Sequence, residues 1–180
     1  MYTSLGIDVS TKTGIVVAVP GSSKVPEVLH KDEANYPKKK GMERAGLIAS
    51  RVMHAVNQYD PNQIFIEGYS FASKGSSLTT LVEIGTVIRY FLWQYQKGYI
   101  EVAPTSLKKF VTGRGNVKKD IMALETYKRW GLEFATDNIT DAFGLAAFGL
   151  AMEGYLEMPK VNMSPVQLVA KTLDKTITSN

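Results

Sequence analysis

The chain has 180 residues, 44% hydrophobic and 21% charged, which fits one folded domain with its own core and no disordered half. With no cysteine and two histidines, a disulfide framework and thiolate or histidine-rich zinc sites are excluded, so any metal must be held by oxygen. The net charge of +4 fits nucleic acid without requiring it, and the lack of a signal-like start or a run of about 18 apolar residues points to a cytoplasmic setting without a membrane span.

Leu5-Gly6-Ile7-Asp8-Val9-Ser10, a polar Thr11-Lys12-Thr13-Gly14 turn and a β-branched run at residues 15–19 predict a β-hairpin. Residues 26–31 add a third strand after the Pro20-Gly21-Ser22-Ser23 break. Residues 41–59 carry Ala45, Ile48, Val52, His54, Ala55 and Tyr59 at helical spacing, and Asp60-Pro61 stops that helix. A short apolar run at 63–68 then has the character of a buried parallel strand, so helix followed by strand makes a crossover. Further on come a long helix at 76–96, a strand at 98–103, a basic helix, turn and helix over 104–130, and a helix at 137–156. The expected fold is α/β, with a mixed central sheet of about five strands and helices on both faces. Residues 1–157 form the domain; residues 158–180, with a Ser164-Pro165 helix start, form a peripheral helix or a loose tail.

Three carboxylates stand where charge is unwelcome. Asp8 interrupts the apolar first strand, Glu67 ends the apolar run at 63–68, and Asp141 adjoins the apolar helical face of Ala142, Leu145 and Ala146. A buried carboxylate costs several kcal/mol unless it is paired or metal-bound. One shared explanation is a pair of Mg²⁺ ions, which take hard oxygen ligands and leave room for phosphate. Each residue also has a purely structural explanation: Asp8 pairing with a lysine or capping a turn, Glu67 marking a strand end, Asp137 capping the last long helix, and Asp141 favouring its dipole.

Gly6-Ile7-Asp8-Val9-Ser10 with Thr13-Gly14, Ile66-Glu67-Gly68-Tyr69, Val102-Ala103-Pro104 through Lys108 to Gly113-Arg114-Gly115-Asn116-Val117-Lys118-Lys119-Asp120, and Asp137-Asn138-Ile139-Thr140-Asp141-Ala142 occur in that order. Together they resemble the RuvC-type crossover junction endodeoxyribonucleases, phage-encoded members more than bacterial ones. The resemblance implies a ribonuclease H-like fold and a homodimer that resolves four-way (Holliday) junctions in DNA recombination and repair. It further implies paired Mg²⁺-dependent nicks with 5′-phosphate and 3′-hydroxyl ends, Mn²⁺ substituting, and no organic cofactor. It makes Asp8, Glu67 and Asp141 metal ligands, with Lys108 and Lys119 assisting cleavage. Where the family has a fourth acidic residue or a histidine, this chain has Asn138 preceded by Asp137; either is a candidate fourth ligand. Where the bacterial form has its junction-probing aromatic there is Ser70, so Tyr69 and Phe71 become the candidates for stacking on DNA, or else pack in the core.

Lys108, Lys109, Arg114, Lys118 and Lys119 lie in a stretch without acidic residues and would neutralise backbone phosphates, with Lys74 a further candidate contact. Leu78, Leu81, Val82, Ile84, Gly85, Val87 and Ile88 make too broad an apolar surface for one face of a surface helix, so that helix serves a dimer interface or lies deep in the core. Competing expectations are a broader branched-DNA or flap nuclease and a non-catalytic DNA-binding module. The Gly6-to-Gly14 hairpin also resembles the phosphate-binding hairpin of sugar kinases and actin-like ATPases, which need two such lobes where this chain has room for one.

Overall fold

The computed structural model describes residues 1–69 and 76–178. β1 (Ser4–Asp8) and β2 (Lys12–Pro20) form the opening hairpin, with Asp8 opposite Gly14. The turn closes earlier than the polar stretch suggests. Thr13 Oγ1 donates to the Ser10 carbonyl at 2.7 Å, and the Ser10 hydroxyl accepts the Lys12 N–H at 3.1 Å. These local bonds bring Thr13 and Gly14 into the ladder. β3 (Pro26–Asn35) pairs antiparallel with β2 and runs past its expected end, because an edge strand paired on one side can continue through polar residues such as Asp32 and Glu33.

After α1 (Gly41–Tyr59), β4 (Gln63–Glu67) lies parallel to β1, and after α2 (Ser76–Gln94) the short β5 (Ile100–Val102) lies parallel to β4. The order is β3-β2-β1-β4-β5. α3 (Pro104–Thr112), α4 (Lys119–Trp130), α5 (Asp137–Met152) and α6 (Lys160–Thr178) complete the described chain. α2 stops before Gln96, which takes a left-handed φ of 54°, and α5 stops before Gly154, at φ 81°.

The sheet separates two cores. Leu5, Ile7, Ile15, Val17, Ile64 and Ile66 meet α1 and α2 on one face. Val16, Ala18, Phe65 and Val102 meet the α3–α6 layer on the other. α5 is the centre of that second core: every residue from Ala142 to Ala151 is buried, and full burial of each large apolar side chain contributes roughly 1.5–3 kcal/mol. α6 begins at Lys160, before the Ser164-Pro165 signal, and carries Pro165 inside it. Proline there removes the N–H that would bond the Val161 carbonyl, and the Ser164 hydroxyl supplies the missing donor at 2.9 Å. The buried Asn162 amide donates to the Phe110 carbonyl at 2.6 Å, docking α6 on the end of α3. Among the described residues no helix is long and apolar enough to cross a membrane.

Candidate active site

Side chains alternate across a strand, so residues two apart share a face. Leu5 and Ile7 face α1 and α2; Gly6 faces α5, and Asp8 follows it onto that side. In β4 the same parity puts Glu67 with Phe65 on the α5 face. α5 approaches closely because β1 and β2 present glycine: a Cβ on Gly6 would overlap the Ala142 carbonyl oxygen, and one on Gly14 the Asn138 carbonyl oxygen. Asp141, one residue before Ala142, is thereby brought over the ends of β1 and β4.

Asp8 is 5% exposed. Burial is the main cause that pushes its carboxyl well above the ordinary range, reinforced by the Glu67 charge, a side-chain hydrogen bond with Glu67 and the Asp141 charge, with Lys119 opposing. Burial also raises Glu67, while its hydrogen bond with Asp8 and the charges of Lys108 and Lys119 pull it back. Asp141 is pushed up to about 7 by burial first and by Glu67 next, with Lys119 opposing. Asp8 and Glu67 therefore interact directly, each raised above the ordinary carboxyl range, and Asp141 interacts with both through charge. Among the described residues no three His, Cys, Asp or Glu side chains already surround a single point as metal ligands. The donor chemistry nevertheless fits a hard divalent cation: three carboxyls that resist ionising together on burial and mutual repulsion would all be relieved by one compensating positive charge.

The cations divide by direction. Lys108 and Lys119 act on the carboxylates. Lys109 lines the groove between α3 and α6 with Ser164 and Leu168, since consecutive helical residues point about 100° apart. Arg114 shares a polar cleft with Asn116, Glu125 and Lys128, and Lys118 is exposed at the head of α4. The turn between α3 and α4 is fixed by Thr112, whose hydroxyl donates to the Lys108 carbonyl at 2.9 Å and accepts the Arg114 N–H at 3.1 Å.

Asp137 does not cap α5. Thr136 does, its hydroxyl accepting the Ile139 N–H at 3.3 Å, which leaves Asp137 half-exposed and 3.6 Å from Lys119 Nζ. Asn138 is turned toward the hairpin: its Nδ2 donates to Glu33 at 3.1 Å and its Oδ1 accepts from the Ser10 hydroxyl at 3.4 Å. Tyr69 is part-exposed and packs beside α2. Its hydroxyl meets Thr86 Oγ1 at 3.3 Å and its ring lies under the Arg89 guanidinium at 4.4 Å, so α2 occupies it. Phe71 and Lys74, with Ser70, lie outside the described residues.

Glu33 and Arg89 reach the site without any motif having singled them out. Arg89 Nη2 donates to the Glu67 carbonyl at 3.2 Å. Its sequence signal was only an arginine within the buried run of Ile84, Ile88 and Leu92.

Residues 4–148 match the profile of a family described as crossover junction endodeoxyribonuclease RuvC. Among solved structures, the chain is similar to T. thermophilus RuvC in complex with a Holliday junction substrate, at 20% identity and TM-score 0.70 over 82% of this chain and 92% of that one. Another Thermus thermophilus RuvC structure matches at 20% identity and TM-score 0.71, covering 85% and 97%. The yeast mitochondrial Holliday junction resolvase Ydc2 matches at 12% identity and TM-score 0.57, covering 98% and 83%. These likenesses show the ribonuclease H-like fold. Among curated proteins no sequence matches this chain.

Proposed function

Since the chain belongs to the RuvC family of crossover junction endodeoxyribonucleases, we propose that it resolves four-way DNA junctions as a homodimer, by paired nicks that leave 5′-phosphate and 3′-hydroxyl ends. The observation that carries the chemistry is the interacting set of carboxyls, buried Asp8 with part-buried Glu67 and Asp141, flanked by Lys108 and Lys119. The junction as substrate follows the solved relatives of the same fold, one in complex with a Holliday junction substrate and one named a Holliday junction resolvase.

Asp8, Glu67 and Asp141 would hold Mg²⁺, two ions with Mn²⁺ able to substitute, and Asp137 is the better fourth donor because the Asn138 amide is engaged by Glu33 and Ser10. When bound, the cations supply activation of the attacking water and neutralisation of the phosphate. Everything else falls to the protein. Asp8 and Glu67 must be ionised to hold a cation, against the burial that raises both. Lys108 and Lys119 draw the scissile phosphate toward the carboxylates and oppose the negative charge that gathers there. Arg114 and Lys118, farther out, hold the DNA backbone and set register without reading sequence.

α2 offers the face for self-association, though not through all the residues its sequence suggests. Ile84, Val87 and Ile88 are buried in the core, whereas Val82, Tyr90 and Trp93 are exposed at 39%, 53% and 72%. At about 100° per residue these three share one side of the helix, a suitable apolar anchor for a second copy.

The deciding experiment compares cleavage of a labelled four-way junction, a three-way branch and a linear duplex by wild type and Asp8→Asn, with Mg²⁺ or EDTA. Paired nicks near the four-way crossover, dependent on Mg²⁺ and lost in Asp8→Asn while binding persists, are expected. Equal cutting of all branches would replace this function with general debranching, and binding without cutting would leave a DNA-binding module.

A further inference from the structure

Arg89 is the most heavily committed cation among the described residues. Its side chain is 11% exposed, and its donors go to three different elements. Nε bonds Glu101 Oε1 on β5 at 2.6 Å, Nη1 bonds the Gly85 carbonyl on α2 at 3.1 Å, and Nη2 bonds the Glu67 carbonyl at the end of β4 at 3.2 Å. The guanidinium stands 4.4 Å from the ring centre of Tyr69 and 5.8 Å from that of Tyr99. Gly85 leaves the room for this: a Cβ there would come within 2.8 Å of Arg89 Nη1 and 2.9 Å of the Tyr69 hydroxyl.

We propose that Arg89 is a positioning residue for cleavage, which fixes the backbone at Glu67 and thereby the place where the Glu67 carboxylate stands. This rests on Glu67 belonging to the catalytic set proposed above. The β4–β5 ladder ends here, with the Gly68 N–H bonded to the Val102 carbonyl at 2.9 Å, and a strand end is where backbone freedom returns. Two carboxylates that repel each other are held together most cheaply by fixing the backbones that carry them. Each carboxylate stands in the last pair of its ladder, Asp8 opposite Gly14 and Glu67 opposite Val102, and at Glu67 the arginine fork adds a side-chain bond to the carbonyl. The guanidinium spreads its donors over a rigid planar fork and so spans acceptors on three elements, where a lysine ammonium concentrates its three donors at one point. The same helix carries exposed Tyr90 and Trp93, so a movement of α2 at a protomer interface would reach Glu67 through Arg89.

The test uses the full chain with Arg89→Gln, Arg89→Lys and, in parallel, Glu67→Gln. Three quantities are read: four-way junction affinity in EDTA, single-turnover cleavage in Mg²⁺, and the rise in melting temperature on adding Mg²⁺ without DNA. The expected result is junction affinity close to wild type in both Arg89 variants. Cleavage should fall about 30-fold or more in Arg89→Gln and less in Arg89→Lys, the scale expected when a reacting group is displaced by about an ångström. The Mg²⁺-induced melting shift should shrink in the same order. Wild-type cleavage in both variants, or binding and cleavage lost in equal proportion, would overturn the positioning role. If Arg89→Gln does not fold, Arg89→Lys alone decides by the same criteria. Should Glu67→Gln still cleave, the catalytic assignment of Glu67 fails instead, whatever the Arg89 variants do.

Discussion

The carboxylates and the outer cations of the basic segment are built on opposite principles. Asp8, Glu67 and Asp141 are carried by fully packed backbone, on two central strands and a helix pressed against them through Gly6 and Gly14. The outer cations, Arg114 and Lys118, stand on a turn and just before a helix start with their side chains exposed. In the first region charge is concentrated where it is unstable, so position is over-determined and each member depends on the others. In the second, charge is cheap and divisible, and no single cation is indispensable. Replacing residues in the two regions should therefore give different kinds of loss, abrupt in one and graded in the other.

The largest effect is expected at the carboxylates. Asp8→Asn, Glu67→Gln and Asp141→Asn should each reduce junction cleavage by about 10³-fold or more, since each removes a charge that cation binding requires. Junction affinity in EDTA should persist. Asn at position 8 can still hydrogen-bond Glu67 without ionising, so the metal-free Asp8→Asn protein should melt no lower than wild type. A clearly lower melting temperature would mean that Asp8 is one half of a structural ion pair, and the contrast between the regions would collapse.

Gly6→Ala probes the same region through packing alone. The added methyl would push into the Ala142 carbonyl and Leu145, with an expected cost of about 3 kcal/mol in stability, at the upper end for overpacking because backbone cannot yield as a side chain does. Urea unfolding measures it. A cost under about 1 kcal/mol would show that α5 can lift from the sheet, and that Asp141 is less firmly placed than its contacts indicate.

A smaller effect follows from protonation. Burial leaves the folded carboxyls holding their protons more tightly than the unfolded chain does, so their contribution to stability is complete at low pH and lost as pH rises. For Asp141 the loss spans the ordinary value of 3.8 to about 7, and for Asp8, raised well above 3.8, it extends upward from the same start. Metal-free protein should thus melt a few degrees lower at pH 7.5 than at pH 5, about what 1 kcal/mol produces in a domain of this size. Saturating Mg²⁺ should flatten or reverse the slope. A metal-free protein more stable at pH 7.5 would mean that Lys108 and Lys119 outweigh burial.

Much of this layout was legible in the sequence, because the strongest signals were violations of local pattern. A charge within Leu5-Gly6-Ile7-Asp8, or at the end of Ile64-Phe65-Ile66-Glu67, conflicts with period-two burial, and the structure puts both on the α5 face. Helix α1 was legible to its ends because Gly41 and Asp60-Pro61 punctuate it. What could not be read depended on partners distant in sequence. Tyr69, open to stacking on DNA or packing in the core, meets Thr86 and Arg89 of α2, and Asn138, one of two candidate fourth ligands, meets Glu33 of β3. Asp137 is open in sequence to two roles, helix cap or fourth ligand, and Thr136, one residue earlier and equally able, takes the cap. The apolar excess on α2 was visible, but of its named residues Val82 is exposed, and the rest of the exposed face lies farther along, at Tyr90 and Trp93, where aromatic residues gave no hint of which side they faced.

The smallest effects belong to the outer cations, and they are the sharpest test of divisibility. Arg114 and Lys118 form no ion pair among the described residues, so each is available to neutralise one phosphate. Arg114→Gln and Lys118→Gln should each weaken junction binding only a few-fold at moderate salt and lower the slope of log K against log salt by about 1, the slope falling by about 2 in the double variant. Cleavage at saturating protein should be unchanged, because neither residue acts on the carboxylates. Fluorescence anisotropy over a salt series measures the slopes. If either substitution alone removed binding, or if the double variant lost far more than the sum of the two, the cations would be a cooperative unit like the carboxylates. The junction would then be held at one built site, not by a spread of independent charges.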